Sequence, residues 1–141
     1  MKDPTDDIME SMLMQLQGQL TYKNEPFQVF CDIPESLPRN YVFINDVVLN
    51  DDSTTDTDCM NGLIVIEVAS TGYPHQTNRK AVTEIVNQVM GLLVHEDLYT
   101  TCFAITIDPY IENMRTARER TDKGLSIRRI LNLRVKTQQI C

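Results

Sequence analysis

Between Leu63 and Val135 the chain runs through a strand, a helix, a strand, an arginine-rich segment and a long last strand, and this succession constrains the fold more than any other feature. The segment Leu63-Ile64-Val65-Ile66-Glu67-Val68-Ala69-Ser70-Thr71 is rich in β-branched residues, with Gly62 before it and Gly72-Tyr73-Pro74 after it, so it predicts a strand. Ala81, Val82, Ile85, Val86, Val89, Met90 and Leu93 then recur at helical spacing, and the broad apolar face they form needs a cover. A sheet supplies it. Thr101 to Ile107 reads as a strand that Asp108-Pro109 stops, and Leu125, Ile127, Leu131, Leu133 and Val135 share one face of a final strand. Arg129 interrupts that face, which predicts a position near an edge or an interface.

Upstream, Asp3 reads as a helix N-cap with Pro4 in the first helical position, and Asp6, Asp7 and Glu10 follow where the helix dipole favours negative charge. Ile8, Met12, Leu13, Leu16 and Leu20 supply the buried stripe. Gly18 and the polar segment from Thr21 to Glu25 close this helix, and Phe27 to Cys31 forms a short strand ending before Pro34. After the Pro34 to Pro38 connection, Tyr41 to Leu49 is extended, with a bulge or bend at Asn45-Asp46. Residues 50–59 hold several aspartates and turn formers, predicting a mobile, solvated acidic loop.

The expected order is α-β-β-β-α-β-β. It predicts an α+β fold with an antiparallel four- to five-stranded sheet and two helices packed on one face. At 141 residues the chain suits a single domain over residues 1–141. No apolar run approaches the roughly 20 residues of a membrane helix. The acidic start, Met1 to Asp7, lacks the pattern of a secretory signal, so synthesis and residence in the cytosol are expected unless the protein joins an assembly.

Cys31, Cys59, Cys102 and Cys141 have neither CxxC nor Cys/His spacing, which argues against structural zinc. Cys31 and Cys102 are expected as buried small hydrophobes within strands rather than disulfide partners, and Cys59 and Cys141 as incidental.

Charge is uneven. Residues 1–107 carry five basic and 16 acidic side chains, net −11, whereas 108–141 carry eight and four, net +4, which together give the chain's −7. An acidic flank of one copy can meet a basic flank of the next, the logic of head-to-tail rings, and plain solvated surface is the competing explanation.

Tests for chemistry find little. The acidic loop lacks the Gly and terminal Glu of a calcium-binding EF-hand. Asp46, Glu67 and His75 suggest a metal-dependent nucleic-acid-processing enzyme as the alternative, but Ala69 stands where the common Glu-x-Lys nuclease motif needs lysine. His75 with Ser70 and Thr71 lacks a nucleophile elbow, and Thr77 or Asn78 is expected to cap the following helix, with Arg79 and Lys80 outward. No phosphate-binding or dinucleotide fingerprint occurs, and no cofactor is expected.

The remaining feature is Met114 to Gly124, which with Arg128, Arg129 and Arg134 is strongly basic. Phosphate contact is one reading. The chain's pI near 4.7, its lack of tryptophan and the absence of aromatic residues along the basic segment favour docking to a partner protein instead. A cytosolic adaptor built on the same hairpin is a further alternative.

This arrangement resembles phage tail terminator and head-to-tail joining proteins of the lambda type. The residues that carry the resemblance are the N-terminal helix, Pro38-Arg39-Asn40-Tyr41-Val42-Phe43-Ile44, the Ile64 to Ser70 strand, the Thr77 to Leu93 helix and the Leu125 to Val135 strand after a long hairpin. The resemblance implies a virion protein without catalytic residues, assembled in the host cytoplasm into a ring at the neck or tail end. That ring is a homo-oligomer, a hexamer by analogy, meeting tail-tube and connector proteins while DNA passes through its lumen without specific binding. It further implies that the long basic hairpin, residues 108–124, reaches a neighbour. Arg115, Arg118, Arg120 and Lys123, with Arg128 and Arg129, are then the interface candidates.

Overall fold

The computed structural model describes residues 2–72, 75–96, 98, 100 and 102–141. Helix α1 spans Thr5–Leu16 and buries Ile8, Met12 and Leu16, while Leu20 is buried just beyond it and Leu13 is half-buried. Pro4 rather than Asp3 is the N-cap and no side chain caps the helix; the Asp3 carboxylate, one residue earlier, accepts hydrogen bonds from the Thr5 N–H at 2.9 Å and the Thr5 hydroxyl at 2.5 Å. These bonds keep the Asp3 carboxyl below the usual range. Gly18, at φ +75°, turns the chain out of the helix.

The polar segment after α1 is itself structured. Strands β1 (Thr21–Tyr22) and β2 (Glu25–Pro26) pair antiparallel around Lys23 and Asn24, whose φ values of 48° and 66° suit a tight hairpin turn.

Strands β3 (Gln28–Phe30), β4 (Asn40–Asp51) and β5 (Cys59–Gly72) follow, then helix α2 (His75–Leu93), β6 (Phe103–Thr121) and β7 (Gly124–Gln139). They build a five-stranded sheet of order β3-β4-β5-β7-β6. The expectation of an antiparallel sheet needs correction, because β3 pairs parallel to β4 and the sheet is mixed. Parallel neighbours ordinarily need a long crossover. Here β3 is so short, about 10 Å at 3.3 Å per residue, that the connection 31–39 returns the chain to its starting end.

Both helices lie on one face of the sheet, α2 over β5 and β7, α1 over β3 and β4. Six of the seven apolar residues that mark α2 are buried, with Met90 half-buried, and they meet Ile64, Ile66, Val68, Ile127, Leu131, Leu133 and Val135 in one core. The β4–β5 register shifts between Ile44 and Asp46, where a bulge is expected.

Three readings change. Asp108-Pro109 does not end a strand: β6 continues through it, with register irregularities between Ile105 and Asn113. As the sheet's edge strand β6 can absorb a proline, since an edge residue need not donate to the ladder. Asn78 is not a cap but a buried residue in the first turn of α2; the Thr77 side chain, like Tyr73, Pro74 and Thr101, lies outside the described residues. Cys102 and Cys141 form a disulfide, with Cα atoms 5.0 Å apart, because Phe103 pairs with Gln139 and the Ile140 N–H bonds the Cys102 carbonyl at 2.8 Å. Among the described cysteines, Cys31 and Cys59 are free. Cys59 is buried at the start of β5, and Cys31 lies just past β3, its thiol pushed up by burial and then by Asp32 and Glu10.

Candidate docking surface

Strands β6 and β7 form a long hairpin whose turn is Asp122-Lys123, closed by the Thr121 hydroxyl donating to the Gly124 carbonyl at 2.8 Å. The arginine-rich segment expected as a loop is therefore paired strand, in unbroken register from Asn113 opposite Asn132 to Thr121 opposite Gly124. Pairing fixes which faces its cations occupy. Arg118, opposite Ile127, and Arg129, opposite Thr116, lie on the helix side and line a groove of about 320 Å³ between the hairpin and α2. Arg129 donates to the Thr116 hydroxyl at 2.6 Å, which accounts for its break in the apolar face of β7.

Lys123 and Arg128 belong to a second place, a cleft of about 730 Å³ at the turn end of the hairpin. Pro38, Arg39, Tyr41 and Gly72 form its other wall, and Glu119 and Asp122 lie on the hairpin side. Arg115 and Arg120 line neither cavity. They are exposed, and among the described residues Arg115, Arg118 and Arg120 make no side-chain hydrogen bond or ion pair. Arg134 is occupied, facing Glu112 at 3.2 Å and Asn61 at 3.4 Å.

The wall of the cleft rests on a polar network that local sequence does not announce. The Arg39 Nε donates to the Thr71 carbonyl at 2.7 Å and its Nη2 to the Asn78 Oδ1 at 3.4 Å. The Asn78 amide in turn donates to the Gly72 and Leu125 carbonyls, and the Ser70 hydroxyl donates to Asn40 at 2.7 Å. Buried polar groups of this kind need such partners, and satisfying them ties β4, β5, α2 and β7 together. Gly72, at φ +132°, is needed here: a Cβ at this position meets the Arg39 Nε at 3.0 Å. Burial pushes the Tyr41 hydroxyl up; Arg128 opposes the shift while Glu67 and Glu119 add to it. Only Pro38-Arg39-Asn40-Tyr41, leading into a strand, marks this wall in the sequence.

The acidic loop sits at the other end of the sheet. Asp51 pairs opposite Met60, and Cys59 opposite Gln138, whereas Asn40 and Gly72 lie beside the hairpin turn. Residues 52–58 form its connection, tied by Thr54 N–H to the Thr57 carbonyl at 3.0 Å, by Ser53 N–H to the Asp51 carboxylate at 2.8 Å, and by a Lys136–Asp52 ion pair. The N-terminus joins this end, because the Lys2 N–H bonds Gln139 at 2.7 Å and the Gln139 N–H bonds the Asp58 carbonyl at 2.8 Å.

Two of the three alternative catalytic residues, Asp46 and Glu67, are placed by the sheet, and Glu67 is engaged by neighbours on it. Glu67 faces Arg128 at 3.6 Å and accepts from Asn45 at 3.4 Å, Asp46 pairs opposite Val65, and the His75 side chain lies outside the described residues. Among the described residues no three His, Cys, Asp or Glu side chains converge as metal ligands. No helix among them is long and apolar enough to cross a membrane.

No protein-family model matches the chain, and no curated protein matches it. Solved structures do. One chain of the virion of a native gene transfer agent particle is similar at a TM-score of 0.62 and 16% identity, over 90% of this chain and 84% of that chain. At that identity the likeness is one of fold.

Proposed function

We propose that this protein is a non-enzymatic structural subunit of a phage-like virion, which forms a homo-oligomeric ring at the neck or the end of the tail tube. The observation that carries this reading is the fold shared, over 90% of the chain, with a subunit of a gene transfer agent particle. A fold adds no stoichiometry; the hexamer, the tail-terminator position, and the tail-tube and connector partners come from the resemblance of the sequence to the lambda-type family.

On this reading the whole chain acts as one domain, and its long basic hairpin is the docking element. Arg115, Arg118 and Arg120 suit that role: they are exposed and unpaired among the described residues, on a regular strand at the sheet's edge. An open edge strand invites pairing with another chain, and arginine in particular is favoured at protein interfaces. Acidic surface elsewhere would let DNA slide through the lumen without sticking. Assembly takes place in the host cytoplasm and the product resides in the virion.

Charge reversal at Arg115 and Arg118 tests the docking role. Pull-down with purified tail-tube and connector proteins should capture the unmodified protein and lose the R115E/R118E variant, with circular dichroism unchanged. Equal capture of both would remove the hairpin from the interface.

A further inference from the structure

We infer that the cleft at the hairpin turn receives the acidic loop of a second copy of this chain, an inference that rests on the proposed ring and names its junction. Three observations support it. The first is polarity: the cleft and the loop occupy opposite ends of the same strands, roughly 45 Å apart along β5 at 3.3 Å per residue. One copy therefore presents a receptor at one end and a projection at the other. That is the geometry of a heterologous, head-to-tail contact, which closes into a ring when the rotation permits.

The second is charge. Arg39, Lys123 and Arg128 line the cleft with Glu119 and Asp122; Arg128 also faces Glu67 at 3.6 Å and Arg39 is bonded to Thr71 and Asn78, so Lys123 is the cleft cation without a side-chain partner among the described residues. The loop offers Asp56 and Asp58, exposed and without side-chain partners among the described residues, while Lys136 neutralises only Asp52. The third is preorganisation. The loop is already folded on itself by Thr54–Thr57 and Ser53–Cys59 hydrogen bonds, including Thr54 Oγ1 to Thr57 Oγ1 at 2.7 Å and Cys59 N–H to Ser53 Oγ at 3.1 Å. Arg39 is likewise held by Thr71 and Asn78. Little ordering entropy remains to be lost on docking.

The test is a reciprocal charge swap read by sedimentation velocity at low and high salt. The unmodified protein should assemble, and less so at high salt. D56K/D58K and K123E/R128E should each raise the concentration needed for assembly by about tenfold or more, and an equimolar mixture of the two should restore it, because every junction is again complementary. K123E alone, at an exposed turn position, guards against misfolding caused by losing the Arg128–Glu67 pair; circular dichroism monitors the fold of every variant. Assembly of the unmodified protein that neither reversal weakens, or that mixing fails to restore, overturns this junction while leaving the ring intact. A protein that never assembles overturns both. If K123E/R128E instead loses a DNA gel shift and still assembles, the cleft serves phosphates and the inference fails.

Discussion

Asn78 shows how one side chain holds the wall of the cleft. Its amide and carbonyl meet Arg39, just before β4, and partners on β5 and β7, so Asn78→Ala removes a partner from the buried Ser70 hydroxyl and from three part-buried groups. Leaving such groups unpaired costs about 1–3 kcal/mol, to be read as a lowered urea midpoint. Leu131, fully buried beneath α2, gives the apolar comparison: Leu131→Ala should cost about 2–5 kcal/mol in the same measurement. Asp3 and Asp51 set a pH dependence. Hydrogen bonds from Thr5 and Ser53 hold both carboxyls below their usual range. Groups depressed in this way add stability above their unfolded pKa, near about 4, and lose it as pH falls through the lower folded values. Both are exposed, so the effect is small. In an acid titration of the urea midpoint, D3N/D51N should flatten the decline below about pH 4, and an unchanged slope would deny these carboxylates the role.

At the scale of elements, β5, α2 and β7 were legible because their apolar periodicities, alternating in the strands and helical in α2, coincide with the faces they bury. The position of both helices on one face followed from the same patterns. The parallel β3–β4 pair was not legible, since no local pattern states which way the connection 31–39 returns. Pro109 misled for a related reason: a proline ends an interior strand but is tolerated at an edge, and edge status is a property of the sheet. The division of the basic residues depends on this too. Lys123 and Arg128 share the cleft, and Arg118 and Arg129 the groove, only because of the register of β6 on β7, which irregularities before Asn113 shift. The Cys102–Cys141 disulfide joins positions 39 residues apart that the β6–β7 pairing brings together. Closing a loop of that length should contribute on the order of 2–4 kcal/mol, so Cys141→Ser and reduction of the unmodified protein should lower the thermal midpoint alike. A midpoint indifferent to reductant would mean that the two thiols are not joined.

At the scale of the whole molecule the two ends of the sheet differ. One end carries the hairpin turn and the cleft, where cations and carboxylates alternate, and the other carries the acidic loop with the N-terminal segment. The helix-free face between them keeps Phe30 stacked on Tyr41, ring centroids 5.7 Å apart, beside Phe43, and leaves Val48 and Tyr110 more than a third exposed. Such partly exposed apolar residues suit contact with another protein surface. Native mass spectrometry of the unmodified protein over a range of concentrations tests this most directly. The account predicts species at whole multiples of 16.2 kDa, with the ring dominant as concentration rises and salt falls. A species that stays at 16.2 kDa under every condition, and binds neither tail-tube nor connector protein, would contradict it.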